Sequence, residues 1–361
     1  MQTSTSKLAV PRLLYFALFL VGLVWLLASR AVADRAAEGV VLRFNLPALQ
    51  AVLQSSFLLV LLLCGFSLLS WLATRQGGLR ASNGLPNRAT YKQEFFFGAA
   101  LGWTMLLAVV LPLMLFGALH PEFWWAPRSW ALALLSLLTL LLATLASEVA
   151  FRGFLYRTLL ASYGPVVATI LLAALYALLS FFAPDATLLS VTAEFALAIL
   201  LSLAYLRTHA LWFGWGVHFA WNASLAVLFG LPLAGHGAYS SLVTTDLSGA
   251  VWFTGGAYGP EGSLLAVLAV LGAFAVLYRV TRNYAWEYTH APIVSGGHPM
   301  DAQPPAAHVA MERSAQFNAP AAPAPLVQIL GSTSQKASTV SEIEQHLRKD
   351  GDSSGDPESQ G

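Results

Sequence analysis

An all-α bundle of membrane-spanning helices with a disordered C-terminal tail is the fold class this sequence predicts, and three observations carry it. Apolar residues make up 57% of the 361-residue chain and charged residues only 10%, where a soluble domain carries roughly 25% charge. Mean hydropathy is +0.64. The apolar residues also gather into runs that approach or reach the roughly 20 residues a helix needs to cross the hydrocarbon core. A formal net charge of +1 gives no reason to expect a nucleic-acid partner. The single cysteine, Cys64, sits in an apolar run, which leaves neither a disulfide framework nor a cysteine-based zinc site.

Taken in order, the runs are Leu13–Ala28, Ala51–Ala73, Phe95–Leu119, Leu132–Leu159, Val166–Phe182, Leu188–Leu206, Ala210–Phe229 and Leu264–Tyr278, about eight spans in all. The first and last are short for a span. Lys and Arg in the connections set the expected orientation. With the N-terminus inside, the cytoplasmic side collects Lys7, Arg12, Arg75, Arg80, Arg88, Lys92, Arg152, Arg157, Arg207, Arg279 and Arg282. The outer side collects Arg30, Arg35, Arg43 and Arg128, and the connection from Gly230 to Ser263 has neither Lys nor Arg. Both termini are therefore expected in the cytoplasm and the protein in the cell (inner) membrane. Lys7, Arg12, the first apolar run and Ala31-Val32-Ala33 also read as a signal peptide with a small-residue cleavage site. Cleavage there would remove one span and leave the remaining topology as it is.

From Asn283 the chain becomes rich in Ala, Pro, Ser and Gly and is expected to be disordered. Within it Thr339-Val340-Ser341-Glu342 fits a capping box, followed by Ile343 and Leu347 on one face, so one short helix is expected. The chain thus divides into N-terminal helices (1–128), a core (129–282) and a tail (283–361).

The polar residues inside the apolar runs carry the functional argument. Glu148 and Arg152 are four residues apart and share a helix face. Charges at membrane depth are costly, so they usually pair and usually serve a site; the plainer reading is an Arg snorkelling to the interface with Glu148 as its partner. The fourth and fifth runs read as a hairpin turning at Tyr163-Gly164-Pro165. Ser147 and Ser180 each lie 16 residues from that turn, which sets them level. Glu194 and Asn222 each lie 14 residues from Thr208 and are level by the same reasoning. His218 and Asn222 share a face at i, i+4. Each of these polar groups alone could be satisfied by a neighbouring helix, and Glu194 could be a protonated carboxyl. Two clusters converging in one bundle favour a shared polar cavity.

These residues resemble the CPBP family, which contains the CAAX prenyl proteases and bacterial bacteriocin-processing or immunity proteins. The resemblance rests on Glu148-Val-Ala-Phe-Arg152-Gly153-Phe-Leu, Leu206-Arg-Thr-His-Ala-Leu-Trp212 and His218-Phe-Ala-Trp-Asn222. It extends from about Ser129 to Leu277, including Thr254-Gly255-Gly256-Ala257-Tyr258-Gly259-Pro260-Glu261. The family pattern is Glu-Glu with a following Arg, then Phe-x-x-x-His, then His-x-x-x-Asn or Asp. The resemblance implies that the first Glu and first His hold and activate water, while the second His and the Asn stabilise an oxyanion. Glu148, Arg152, His218 and Asn222 match the second Glu, the Arg, the second His and the Asn. The first Glu position is Ser147, and the first His position is Ser180 in Tyr176-Ala-Leu-Leu-Ser180.

Both departures fall on the water-handling pair. A base for water is worth roughly 10²–10⁴ in rate, and serine has no basic group. A catalytic zinc would need three protein ligands and a water; only His218, Glu148 and Glu194 remain as candidates, so no metal or other cofactor is expected. The favoured reading is a family member that no longer cleaves and acts as a membrane scaffold or partner-binding protein, its partners being lipids and a protein or peptide. The alternative is an active intramembrane endopeptidase with a displaced base, for which Glu194 is the candidate. A transporter fits less well, since the chain lacks paired broken-helix segments in corresponding halves.

Overall fold

In the computed structural model the described residues are 12–75, 78–236 and 242–281. Every apolar run becomes helix: α1 (Arg12–Phe44), α2 (Gln50–Thr74), α4 (Tyr91–Leu115), α5 (Pro127–Glu148), α7 (Pro165–Phe181), α8 (Leu188–Thr208), α9 (Trp212–Ala223) and α11 (Leu264–Val280), with α3 (Leu79–Ser82), α6 (Tyr156–Tyr163) and α10 (Val251–Thr254) between them. Five stretches are long and apolar enough to cross a membrane: Arg12–Phe44, Pro47–Ala73, Tyr91–Leu115, Pro127–Tyr163 and Leu188–Thr208; Pro165–Phe181 and Leu264–Val280 are shorter apolar helices. The expected tail and its capping-box helix lie outside the described residues.

The first helix departs from expectation. It continues past Ala28 to Phe44, and Arg30, Arg35 and Arg43 stand exposed on it rather than in a connection. Ala31 to Ala33 lie inside this continuous helix. Nothing in the sequence breaks it before Asn45, which takes a positive φ of 54°, and Pro47. Its inner stripe is made of small residues (Gly22, Ser29, Ala33 and Ala37, then Val41), which permits close packing against the bundle. The hairpin turn does form as expected: α6 ends at Tyr163, Gly164 supplies a φ of +79°, and Pro165 opens α7.

Two features position the site. The first is the contact between α4 and α9. A Cβ on Gly98 would fall 2.0 Å from the Phe213 carbonyl oxygen, and one on Gly216 would fall 2.1 Å from that of Phe95. Gly102 likewise faces the Val217 carbonyl at 2.5 Å. Gly98 and Gly102 form a Gly-x-x-x-Gly face, on which two backbones meet with no side chain between them. Near the start of α4, buried Glu94 pairs with Arg88, which also donates to the Thr208 carbonyl at 3.0 Å and so ties α4 to the end of α8.

The second is a pair of π-helical stretches, Val149–Leu155 after α5 and Ser224–Leu228 after α9. Such widened turns recur at functional sites because they re-aim side chains. Gly153 lies in the first, where a Cβ would press 2.7 Å from the Asn83 carbonyl oxygen. The sequence also gave no warning of a two-stranded antiparallel ribbon. Its strands are β1 (Leu119–Phe123) and β2 (Val243–Leu247), with Leu119 opposite Leu247 and Phe123 opposite Val243.

Candidate site inside the helical bundle

Glu148 sits at the end of α5, 1% exposed, and Arg152 in the π-helical stretch, 0% exposed. Arg152 Nη1 donates to Glu148 Oε1 at 3.2 Å, and the same oxygen lies 2.8 Å from Nδ1 of His218 on α9. One carboxylate thus ties two helices together. The Arg152 guanidinium lies over the Tyr176 ring, 5.1 Å from its centre, while its Nε and Nη2 meet no hydrogen-bond partner. Of the two serines, Ser147 interacts with the Tyr176 hydroxyl, and Ser180 donates its own hydroxyl back to the Tyr176 carbonyl at 3.2 Å. Ser147 thus reaches across to the Tyr176 side chain, and Ser180 lies one turn further along the same helix. The π-helical stretch changes the residue count along this hairpin arm, which straight α-helix counting does not include.

Glu194 on α8 is also buried. It lies within electrostatic reach of Arg152, Tyr176, Tyr258 and Glu261. Asn222 is half-buried and makes no side-chain hydrogen bond to another described residue. The structure thus brings Glu148, Arg152 and His218 into direct contact, and sets Glu194 and both serines around Tyr176 and Tyr258.

Glu261 and Tyr258 belong to the Thr254–Glu261 stretch that carries part of the family resemblance, but sequence reasoning marked neither as a site residue. Both belong to the Gly230–Ser263 connection, which folds back into the bundle through two short 3₁₀ turns, Gly256–Tyr258 and Pro260–Gly262. Glu261 is 6% exposed, with Oε1 accepting from the Trp221 indole at 2.7 Å and Oε2 from the Ala234 amide at 2.9 Å. Burial raises its carboxyl above the ordinary carboxylate range, and those two N–H donors oppose the rise. Tyr258 is fully buried; its hydroxyl lies beside Ser180 yet meets no hydrogen-bond partner. The available signal was glycine. At Gly259 φ is +104°, and a Cβ would fall 2.3 Å from the Pro232 carbonyl oxygen. So tight a turn fits a packed connection better than a free external loop.

The residues do not fit a catalytic zinc. Among the described residues no three His, Cys, Asp or Glu side chains come together to hold a metal ion. The one His in the cluster turns Nδ1 to a carboxylate oxygen that Arg152 already holds.

Residues 128–224 match the family model described as type II CAAX prenyl endopeptidase Rce1-like, and this domain supports the chain as a member of the CPBP family. Comparison with curated proteins and with solved structures finds no match. The matched stretch runs from the start of α5 to the end of α9 and holds Ser147, Glu148, Arg152, Ser180, Glu194, His218 and Asn222. Together with the apolar helices, this Rce1-like domain supports a CAAX-protease-like integral membrane protein.

Proposed function

We propose that the protein is an intramembrane endopeptidase in which Glu194 replaces the water-handling pair absent at Ser147 and Ser180. The observation that carries this is the surroundings of Glu194. Its carboxyl shares Tyr176 and Tyr258 with the two serines, and it makes no hydrogen bond to another described residue. A buried carboxyl in that position can exchange a proton with water, which serine cannot do. Glu148 holds the Nδ1 side of His218 and fixes the ring, leaving Nε2 to face a developing oxyanion beside Asn222. Arg152 balances the charge of Glu148. The test is cleavage of peptides by the purified protein in detergent, with cleavage abolished by Glu194→Gln. No cleavage by the unmodified protein overturns the reading.

One observation favours the scaffold reading that the sequence alone preferred. Ser180 spends its hydroxyl on its own helix, and the neighbouring Glu148 has Oε1 held by both Arg152 and His218, so neither serine at the family's water positions supplies a base. On that reading the bundle binds a protein or peptide partner without cutting it, and the same cleavage assay separates the two.

We propose in addition that the protein spans the cell (inner) membrane with both termini cytoplasmic and the Gly230–Ser263 connection outside, from the distribution of Lys and Arg. In a Cys64→Ala background, an impermeant thiol reagent added to intact cells should label Ser248→Cys and spare Ser332→Cys. Labelling of the tail position overturns the orientation.

A further inference from the structure

The buried charges near the site do not balance. Glu148, Glu194 and Glu261 face one guanidinium, Arg152, and one imidazole, His218. Glu148 is accounted for by Arg152 and His218. Glu194 and Glu261 remain, drawn together where the Pro260–Gly262 turn packs on α8. A Cβ on Gly262 would meet Ser190 Cβ at 3.3 Å, and Ser190 lies one turn before Glu194. The groups facing Glu194 are Tyr176 on α7, Arg152 in the π-helical stretch, and Tyr258 and Glu261 on the folded-back connection. Those facing Glu261 are His218 and Trp221 on α9, the Ala234 amide, Tyr258, and Glu194. Two carboxylates within reach of each other in a low-dielectric interior do not both ionise readily, because like charges there repel strongly.

We infer that Glu194 and Glu261 share a single proton and work as one acid–base pair, with Tyr258 marking the place of the attacking water. This rests on the endopeptidase reading and adds to it the residue that completes Glu194. Two N–H donors aimed at Glu261 hold the negative charge there, so Glu194 carries the proton at rest. A second feature points to the same spot independently of the acidic pair: the Tyr258 hydroxyl is fully buried and unpartnered, beside Ser180 and in the field of both carboxyls. A buried hydroxyl without a partner is costly, and a water held there would satisfy it.

The reaction balances with water as the only co-reactant. The water oxygen forms a bond to the scissile carbonyl carbon as Glu261 takes one water proton. Glu194 gives its proton to the carbonyl oxygen, and a gem-diol results. The pair now holds its proton on Glu261, which passes it to the amide nitrogen as the C–N bond breaks. A gem-diol hydroxyl proton returns to Glu194, so the products are a carboxylic acid and an amine and the pair is restored.

The test reads the proton directly and reads activity separately. Infrared spectra of the detergent-solubilised full chain at neutral pH should show a protonated carboxyl band. That band should be lost in Glu194→Gln. It should be lost also in Glu261→Gln, where Glu194 ionises beside Arg152. It should remain in Glu94→Gln, which removes the buried carboxyl at the start of α4. Each pair variant should also lower kcat at least a hundredfold, and Glu261→Gln should lose one limb of a bell-shaped pH profile. Absence of the band from the unmodified protein overturns the inference, whether or not any variant folds. So does a band unchanged by both pair substitutions. A band that follows the expected pattern in a protein that cleaves nothing overturns the endopeptidase reading and leaves the shared proton standing.

Discussion

Two corners of one polar cluster hold carboxyl groups in opposite circumstances. At the first, Glu148 is 1% exposed and its Oε1 is held by both Arg152 and His218. At the second, Glu194 and Glu261 lie within reach of each other, with no cation for Glu194 other than the Arg152 already engaged by Glu148. Burial is nearly the same at both corners; the number of partners differs. A carboxylate held by a guanidinium and an imidazole from two helices has its geometry settled by them and serves to hold those helices together. Glu194, which makes no hydrogen bond to another described residue, keeps its proton exchangeable with its neighbour Glu261, and the chemistry is expected there. A resemblance between sequences cannot separate these cases, because it scores residue types and not their bonds.

That contrast can be broken most heavily at the first corner. Arg152→Ala leaves Glu148 buried with only His218 beside it, and losing one partner of a buried pair costs about 3–5 kcal/mol. Folded yield in detergent and thermal midpoint should both fall. Glu148→Gln combined with Arg152→Met should recover part of the loss, because no charge then stays unpaired. Equal losses in the single and double variants would mean that Glu148 is not a structural carboxylate.

At the second corner the expectation reverses. Glu194→Gln should leave the thermal midpoint close to that of the unmodified protein, a change of about 1 kcal/mol or less, since the neutral amide keeps the shape and can still donate to Glu261. Activity should be lost nonetheless. Ser147→Glu with Ser180→His, built on Glu194→Gln, should restore part of the cleavage by returning an acid–base pair to the family's positions. Cleavage that survives Glu194→Gln alone would erase the difference between the two corners.

The smallest effect on cleavage is expected at Trp221. Replacing it with Phe removes the indole N–H from Glu261 and keeps most of the packing, and a lost buried hydrogen bond of this kind costs about 1–3 kcal/mol. The pH profile of cleavage should move more than the stability does. A profile unchanged by Trp221→Phe would show that the indole does not set the state of Glu261.

The fold class, the positions of the helices and the turn at Gly164 were legible in the chain itself. They rest on local properties: apolar run length, the φ that glycine permits and the φ that proline imposes. The pairing of Glu148 with Arg152 was legible for the same reason, since i, i+4 spacing acts within one helix. The bond from His218 to Glu148 was not, although both residues were marked as site candidates. It spans 70 residues and depends on how closely α9 packs on α5, where a Cβ on Gly214 would stand 3.4 Å from Glu148 Oε2. Glu261 was hidden more deeply. Its segment is short, lacks helical periodicity and reads as a polar loop, and only packing against α8 and the Trp221 indole turns it inward. The β1–β2 ribbon joins strands more than a hundred residues apart, and each is too brief to announce itself alone. Local stereochemistry determined the elements, and long-range packing decided which buried carboxyls acquired partners and which did not.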